Sequence, residues 1–182
     1  MGVPNGYTSA QVVQAVPTGI NSGLVLVKTQ TIGTTVSSVT VSGAFSSTYD
    51  NYLVIVSDGV ASTATRLLLS LGATSTGYYF WGVYNTYTVA TLGKLHGSNV
   101  AAFDEVVGIS QNSNVGVFNV IAPNLAKRTA YNAAISVSGT SQYGAYTSGY
   151  LDNDTQYTDF TLTTGTGTVT GGTIRVYGYA NS

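Results

Sequence analysis

The 182-residue chain has no cysteine, one histidine and one glutamate, and only 7% of its residues are charged. Without cysteine there is no disulfide framework, no thiolate nucleophile and no cysteine-ligated metal, so stability has to come from packing or from association. A typical soluble domain is about 25% charged, so most of this surface is kept wet by uncharged groups. The six Lys and Arg and the net charge of -1 argue against nucleic-acid and acidic-membrane partners, whose binding draws on clustered cations releasing counterions. No run approaches the roughly 20 apolar residues of a spanning helix, and the start of the chain lacks the basic and apolar stretches of a secretion signal. Membrane insertion is not expected, and synthesis in a cytoplasm is. Gly6 stands where a myristoylation pattern needs Ser or Thr.

What is abundant is Gly (22) and Tyr (14), together with Ser, Thr and Asn. From Leu24 onward, short β-branched and aromatic segments alternate with Gly, Ser, Thr and Asn clusters, the rhythm of a β-sandwich or barrel. The length fits one domain. The pattern predicts strands at 24–30, 35–41, 52–57, 66–71, 78–84, 103–109, 115–121, 131–137, 142–151, 159–163 and 173–179. A hairpin is expected across Thr31 to Thr34. A closing hairpin is expected through Gly165, Gly167, Gly171 and Gly172, where residues without Cβ allow tight turns. In the last strand, Ile174 and Val176 should face one side and Arg175, Tyr177 and Tyr179 the other.

Residues 1–22 precede the strand pattern and are expected to stand apart from it as a leader. Only Thr8 to Val16 has helical form, with Thr8 or Ser9 as cap and Val12, Val13 and Val16 as an apolar stripe ended by Pro17. This piece is about two turns, too short to persist alone. Either it docks on a partner or another copy, with the three valines as its anchor, or it is a frayed tail.

The runs Leu24-Val25-Leu26-Val27, Leu53-Val54-Ile55-Val56 and Leu67-Leu68-Leu69 do not alternate as a half-wet sheet should. Either a loop covers a central strand, or an outer sheet face is buried between subunits. Scarce charge favours the second, a self-associating chain.

Catalytic material is thin. His96 lies in a loop-like stretch, with no G-x-S-x-G elbow and no motif placing a Ser and an Asp beside it. Asp104-Glu105 is the single adjacent acidic pair, but neighbours in a strand face opposite ways, so it reads as a polar strand start and not as paired carboxylates. Asp152-Asn153-Asp154 begins like a calcium loop without its Gly and terminal Glu, and reads as a turn. The glycine tract at 165–172 has no following Lys or helix, so it is no phosphate cradle. Lys127-Arg128 reads as a solvated connection or an interface contact. No catalytic residue, metal site or cofactor is expected, and the chain is not expected to be an enzyme.

The aromatic group is more informative: Tyr78-Tyr79-Phe80-Trp81, Tyr84 and Tyr87, then Tyr143, Tyr146 and Tyr150. Tyr and Trp combine rigid apolar area with a hydrogen-bonding tip, which suits protein interfaces and sugar faces. Phe80 should lie on the opposite sheet face from Tyr79 and Trp81, so one set is core. Tyr79, Trp81, Tyr143 and Tyr146 are the candidate binding aromatics.

Four strings, GLVLVKTQTIG at 23–33, STYDNYLV at 47–54, LAKRT at 125–129 and GGTIRVYG at 171–178, resemble those of small tailed-bacteriophage virion proteins and distal tail-fibre domains. The resemblance covers the chain from Gly23 onward. It implies an antiparallel, jelly-roll-like β-sandwich at 23–182 that forms a homotrimer on the virion surface. It further implies contacts with other virion proteins, in capsid or tail, and with a host surface glycan or protein. It carries over no functional residue, and the chain has no fibre shaft. A short fibre held by its leader is the first expectation, and a capsid decoration or cement protein the second.

Overall fold

The computed structural model describes residues 23–111, 116–137 and 142–181. The described residues are all-β and carry no helix. The strands are β1 (Leu24–Thr31), β2 (Ser38–Val41), β3 (Asn51–Ser57), β4 (Val60–Ala61), β5 (Thr65–Leu71), β6 (Tyr78–Thr86), β7 (Val89–Val100), β8 (Phe103–Ile109), β9 (Gly116–Ile121), β10 (Ala130–Val137), β11 (Tyr143–Leu151), β12 (Phe160–Thr164), β13 (Val169–Thr170) and β14 (Thr173–Tyr179). The candidate anchor Val12, Val13 and Val16 lies outside the described residues.

An eight-stranded sheet runs β1-β14-β3-β9-β10-β11-β6-β7, and a four-stranded sheet β2-β12-β5-β8 packs on it, with the small pair β13-β4 at one end. Every pairing is antiparallel. The result is an antiparallel β-sandwich. Burial alternates strictly along β3, and along β5 from Leu67, which is what one buried face and a period of two produce. Tyr52, Val54, Phe118, Val120, Tyr131, Ile174 and Val176 from the large sheet meet Val41, Leu67, Leu69, Leu71, Phe103, Val107, Phe160 and Leu162 from the small one in a single core. Arg175 and Tyr177 face outward while Ile174 and Val176 are sealed, as the pattern of the last strand requires.

Four buried tyrosines, Tyr52, Tyr78, Tyr131 and Tyr157, bring polar tips into this core, and each tip is bonded, that of Tyr157 to Thr74 and Asn153. The Tyr52 hydroxyl donates to the Ser46 carbonyl and accepts from the Ser46 N–H. The Tyr78 hydroxyl accepts from the Leu71 N–H at 2.7 Å and donates to the Thr74 carbonyl. The Tyr131 hydroxyl donates to the Asp104 carbonyl. Buried hydroxyls require such partners.

Two expected hairpins are not formed. β1 pairs with β14, whereas β2 pairs with β12, so Thr31 to Thr34 carries the chain from one sheet to the other. Likewise β12 lies in the small sheet and β14 in the large one, and the glycine tract between them is a crossing that contains β13. Gly167, Gly171 and Gly172 there do adopt positive φ, so the tight backbone was legible while its partners were not. The apolar run of β3 has a sealed face, Val54 and Val56, and an outer face of half-buried Leu53 and Ile55. In β1, Leu24 and Leu26 are exposed on the outward side of the sheet edge, and a register shift follows between Leu26 and Lys28.

Candidate binding site

The large sheet has eight strands to the small sheet's four, and β8, at the edge of the small sheet, packs mainly on β9 and β10 and little on β6 and β7. Where the sheets part, a cleft of about 850 Å³ opens. Its walls are Ala64, Thr65, Arg66, Asp104 and Glu105 from the small-sheet side, and Tyr84, Thr86, Thr88, Leu95, Val137, Gln142 and Tyr143 from the large-sheet side.

The β5–β8 ladder is irregular here. Leu67 pairs with Val107 but Leu69 with Phe103, so β8 carries extra residues at 104–106. Such a bulge breaks the alternation of side chains. Glu105 sits in it at φ 58°, a conformation that costs a non-glycine residue on the order of 1–3 kcal/mol. Groups from the large sheet hold the bulge: Tyr131 donates to the Asp104 carbonyl, and Thr147, fully buried, donates to the Glu105 carbonyl at 3.0 Å. The expectation that Asp104 and Glu105 face opposite ways is therefore corrected. Both line the same cleft.

The two carboxylates have different partners. Asp104 is ion-paired with the Arg66 Nε. Glu105 is 6% exposed, and burial raises its pKa above the usual carboxylate value. The hydrogen bond from Tyr143 opposes that rise, nearby Asp104 adds to it, and Arg66 offsets it. The Tyr143 hydroxyl is in turn made a weaker acid by burial, then by its bond to Glu105. Tyr143 and Tyr84 meet edge to face, with centroids 6.3 Å apart and planes at 77°.

The outer face of the large sheet is a second surface. In register across it lie Leu26, Tyr177, Leu53, Asn119, Asn132, Ser148, Trp81 and His96, with Arg175, Ile55, Val117, Ala134, Tyr146, Val83 and Lys94 in a neighbouring row. Trp81 is 56% exposed and Tyr146 46%, with centroids 6.5 Å apart. Tyr179 donates to Asn119, which donates to Asn132. Arg175, Lys94 and His96 are the basic residues of these two rows, and no carboxylate lies on them.

Of the four aromatics that the sequence singles out for binding, Tyr79, Trp81 and Tyr146 share the outer face, with Phe80 turned inward against the core as the alternation requires. Tyr143 does not join them. It belongs to the inner face, in the cleft. His96 is in β7 and not in a loop, paired across to Trp81 on the sheet face opposite the cleft. Asp152-Asn153-Asp154 is a bend in which Asn153 bonds Tyr157 and Thr155, and Arg128 pairs with Asp152 and lies over the Tyr150 ring. Among the described residues no group of three or more metal-ligating side chains converges. The cleft itself escaped the sequence. Its signal was the pair Asp104-Glu105, hidden by a bulge that only the unequal lengths of facing strands reveal.

Compared with known protein families and with curated proteins, the chain matches no family model and no curated protein.

Proposed function

We propose that the protein is a structural component of a tailed-bacteriophage particle: a self-associating, trimeric surface appendage of the short-fibre type. Its N-terminal stretch attaches it to the particle and its sandwich meets the host surface. It works by binding and not by catalysis. The observation that carries this reading is the outer face of the eight-stranded sheet, where Leu26, Trp81, Val117, Ile121, Tyr146 and Tyr150 stand exposed among asparagines, beside the basic Arg175, Lys94 and His96. Exposed aliphatic and aromatic side chains gathered on one sheet face mark an interaction surface. Its occupant is a second copy of this chain. Leu24 and Leu26 stand exposed on the edge strand β1 beside it, and an apolar sheet edge is a template for pairing. The asparagine and tyrosine tips on the face can hydrogen-bond a surface of the same composition. The placement on a phage particle is supported by the resemblance of the strings at 23–33, 47–54, 125–129 and 171–178.

Labelling the protein on intact particles by immuno-electron microscopy, together with particles lacking it, tests this reading. Label at the tail and lost adsorption support it. Label over the head with leakage on heating overturns it in favour of a capsid cement protein, and no label on particles removes the virion assignment.

A further inference from the structure

The cleft between β8 and the β6–β7 end of the large sheet is not used by the association just argued, because its walls are inner faces. Its volume of about 850 Å³ falls in the range of about 300–1,000 Å³ in which small molecules are held. The lining discriminates among ligand classes. Arg66 is already neutralised by Asp104, so among the described residues the lining offers no free cation to a phosphate or a carboxylate. Arg66 likewise disfavours a metal ion. A flat heterocycle needs a slot with parallel walls, whereas Tyr84 and Tyr143 meet at 77° and form a corner. What suits a corner of aromatic rings beside acceptor-only carboxylates is a puckered ring with C–H groups on one side and hydroxyl donors at its rim. Carboxylate oxygens accept from adjacent hydroxyls, and the apolar body of a tyrosine packs on C–H surface. Thr65, Thr86 and Gln142 add neutral donors and acceptors to the lining.

We propose that this cleft binds an uncharged sugar residue, with Asp104 and Glu105 accepting from its hydroxyls and the Tyr84–Tyr143 corner against its C–H face. The inference rests on the outward-facing role proposed above and names what the sandwich recognises there.

The test uses the full chain, isotope-labelled, titrated with lactose, maltotriose and chitotriose, and with N-acetylneuraminic acid as the anionic control, while amide shifts are followed by NMR. At least one neutral sugar is expected to shift the amides of Thr65, Arg66, Glu105 and Tyr143 saturably and to be recovered unhydrolysed. Asp104→Asn should weaken that binding about tenfold, the loss expected for one charge-assisted hydrogen bond. If Asp104→Asn does not fold, Tyr84→Leu, which removes half of the aromatic corner, should weaken it similarly. No shift with any neutral sugar overturns the proposal, as do shifts confined to Trp81 and Tyr146 on the outer face or tighter binding of the anionic control. Because the titration needs no particle, a null result here leaves the particle-labelling outcome independent, and sugar binding by a protein that labels no particle would separate the two readings.

Discussion

On the outer face of the large sheet the rings of Tyr79 and Tyr150 lie nearly parallel, with centroids 5.3 Å apart and planes 9° from coincidence. They are directly opposed across the β6–β11 ladder, and Arg128 covers Tyr150 at 5.5 Å while held by Asp152. The aromatic part of this face is therefore ordered before any partner arrives, which lowers the entropy cost of association. Sedimentation of the purified protein at micromolar concentration should give an oligomer. Introducing charge into its exposed aromatic part, with Trp81→Arg and Tyr146→Arg together, should leave a folded monomer. Truncating central aromatics of an interface typically costs about 2 kcal/mol or more each. A wild-type monomer, or an unaffected double variant, rules out this face as the interface.

Tyr78 offers a cleaner measure of what a single buried hydroxyl contributes. Its oxygen accepts from the Leu71 N–H and donates to the Thr74 carbonyl, so Tyr78→Phe keeps the ring but strands a buried backbone donor. Urea unfolding should show a loss of about 1–3 kcal/mol. Burial also pushes the Tyr78 pKa up to about 12. The folded chain thus keeps this proton where the unfolded chain releases it, and the contribution of Tyr78 should fall as pH rises from about 10 toward that value. Tyr78→Phe should be free of that alkaline loss.

Eleven strand segments were legible because Tyr52-Leu53-Val54-Ile55-Val56 and similar runs carry β-branched residues at a period of two. Which strand pairs with which was not, because the hairpins expected around Gly33 and Gly171 depend on the sheet to which the next strand belongs, and no local residue encodes that. Three strands went unseen. β4 and β13 are two residues each, below any periodic signal. β7 was masked by Gly93, Gly97, Lys94 and His96, which together read as loop. Its glycines sit under rings: a side chain at Gly93 would run into Tyr84, and one at Gly97 into Phe80. Aromatic cover makes a weak strand former tolerable in a sheet, and that compensation is visible only across the ladder. The cleft was illegible for the same reason, since the bulge that brings Asp104 and Glu105 together is defined by the register of β5 against β8.

The aromatic cover on β7 can be tested directly. Gly97→Val supplies a better strand former but places its side chain where the Phe80 ring lies. The expected outcome is net destabilisation of about 1–3 kcal/mol, as overpacking produces, measured as a lower midpoint in thermal unfolding. Adding Phe80→Ala should make the valine less harmful, so the two changes should be non-additive. A stabilised Gly97→Val would mean that strand propensity outweighs the contact.

Glu105 gives the protein a pH dependence of predictable sign. Burial favours the neutral carboxyl, so its folded pKa lies above the ordinary value of 4.5. Between that value and the raised one, the folded chain holds a proton that the unfolded chain has lost. Stability therefore falls as pH rises through this window, the opposite of the usual paired carboxylate. Glu105→Gln keeps an oxygen able to accept from Tyr143 and cannot ionise, so its stability relative to the wild type should grow as pH is raised from about 4 to about 8. Taking the difference between the two proteins cancels the other carboxylates, which titrate in both. A difference in melting temperature that stays flat across that range would mean that Tyr143 and Arg66 offset the burial of Glu105 in full, and that the bulge holds an ordinary carboxylate.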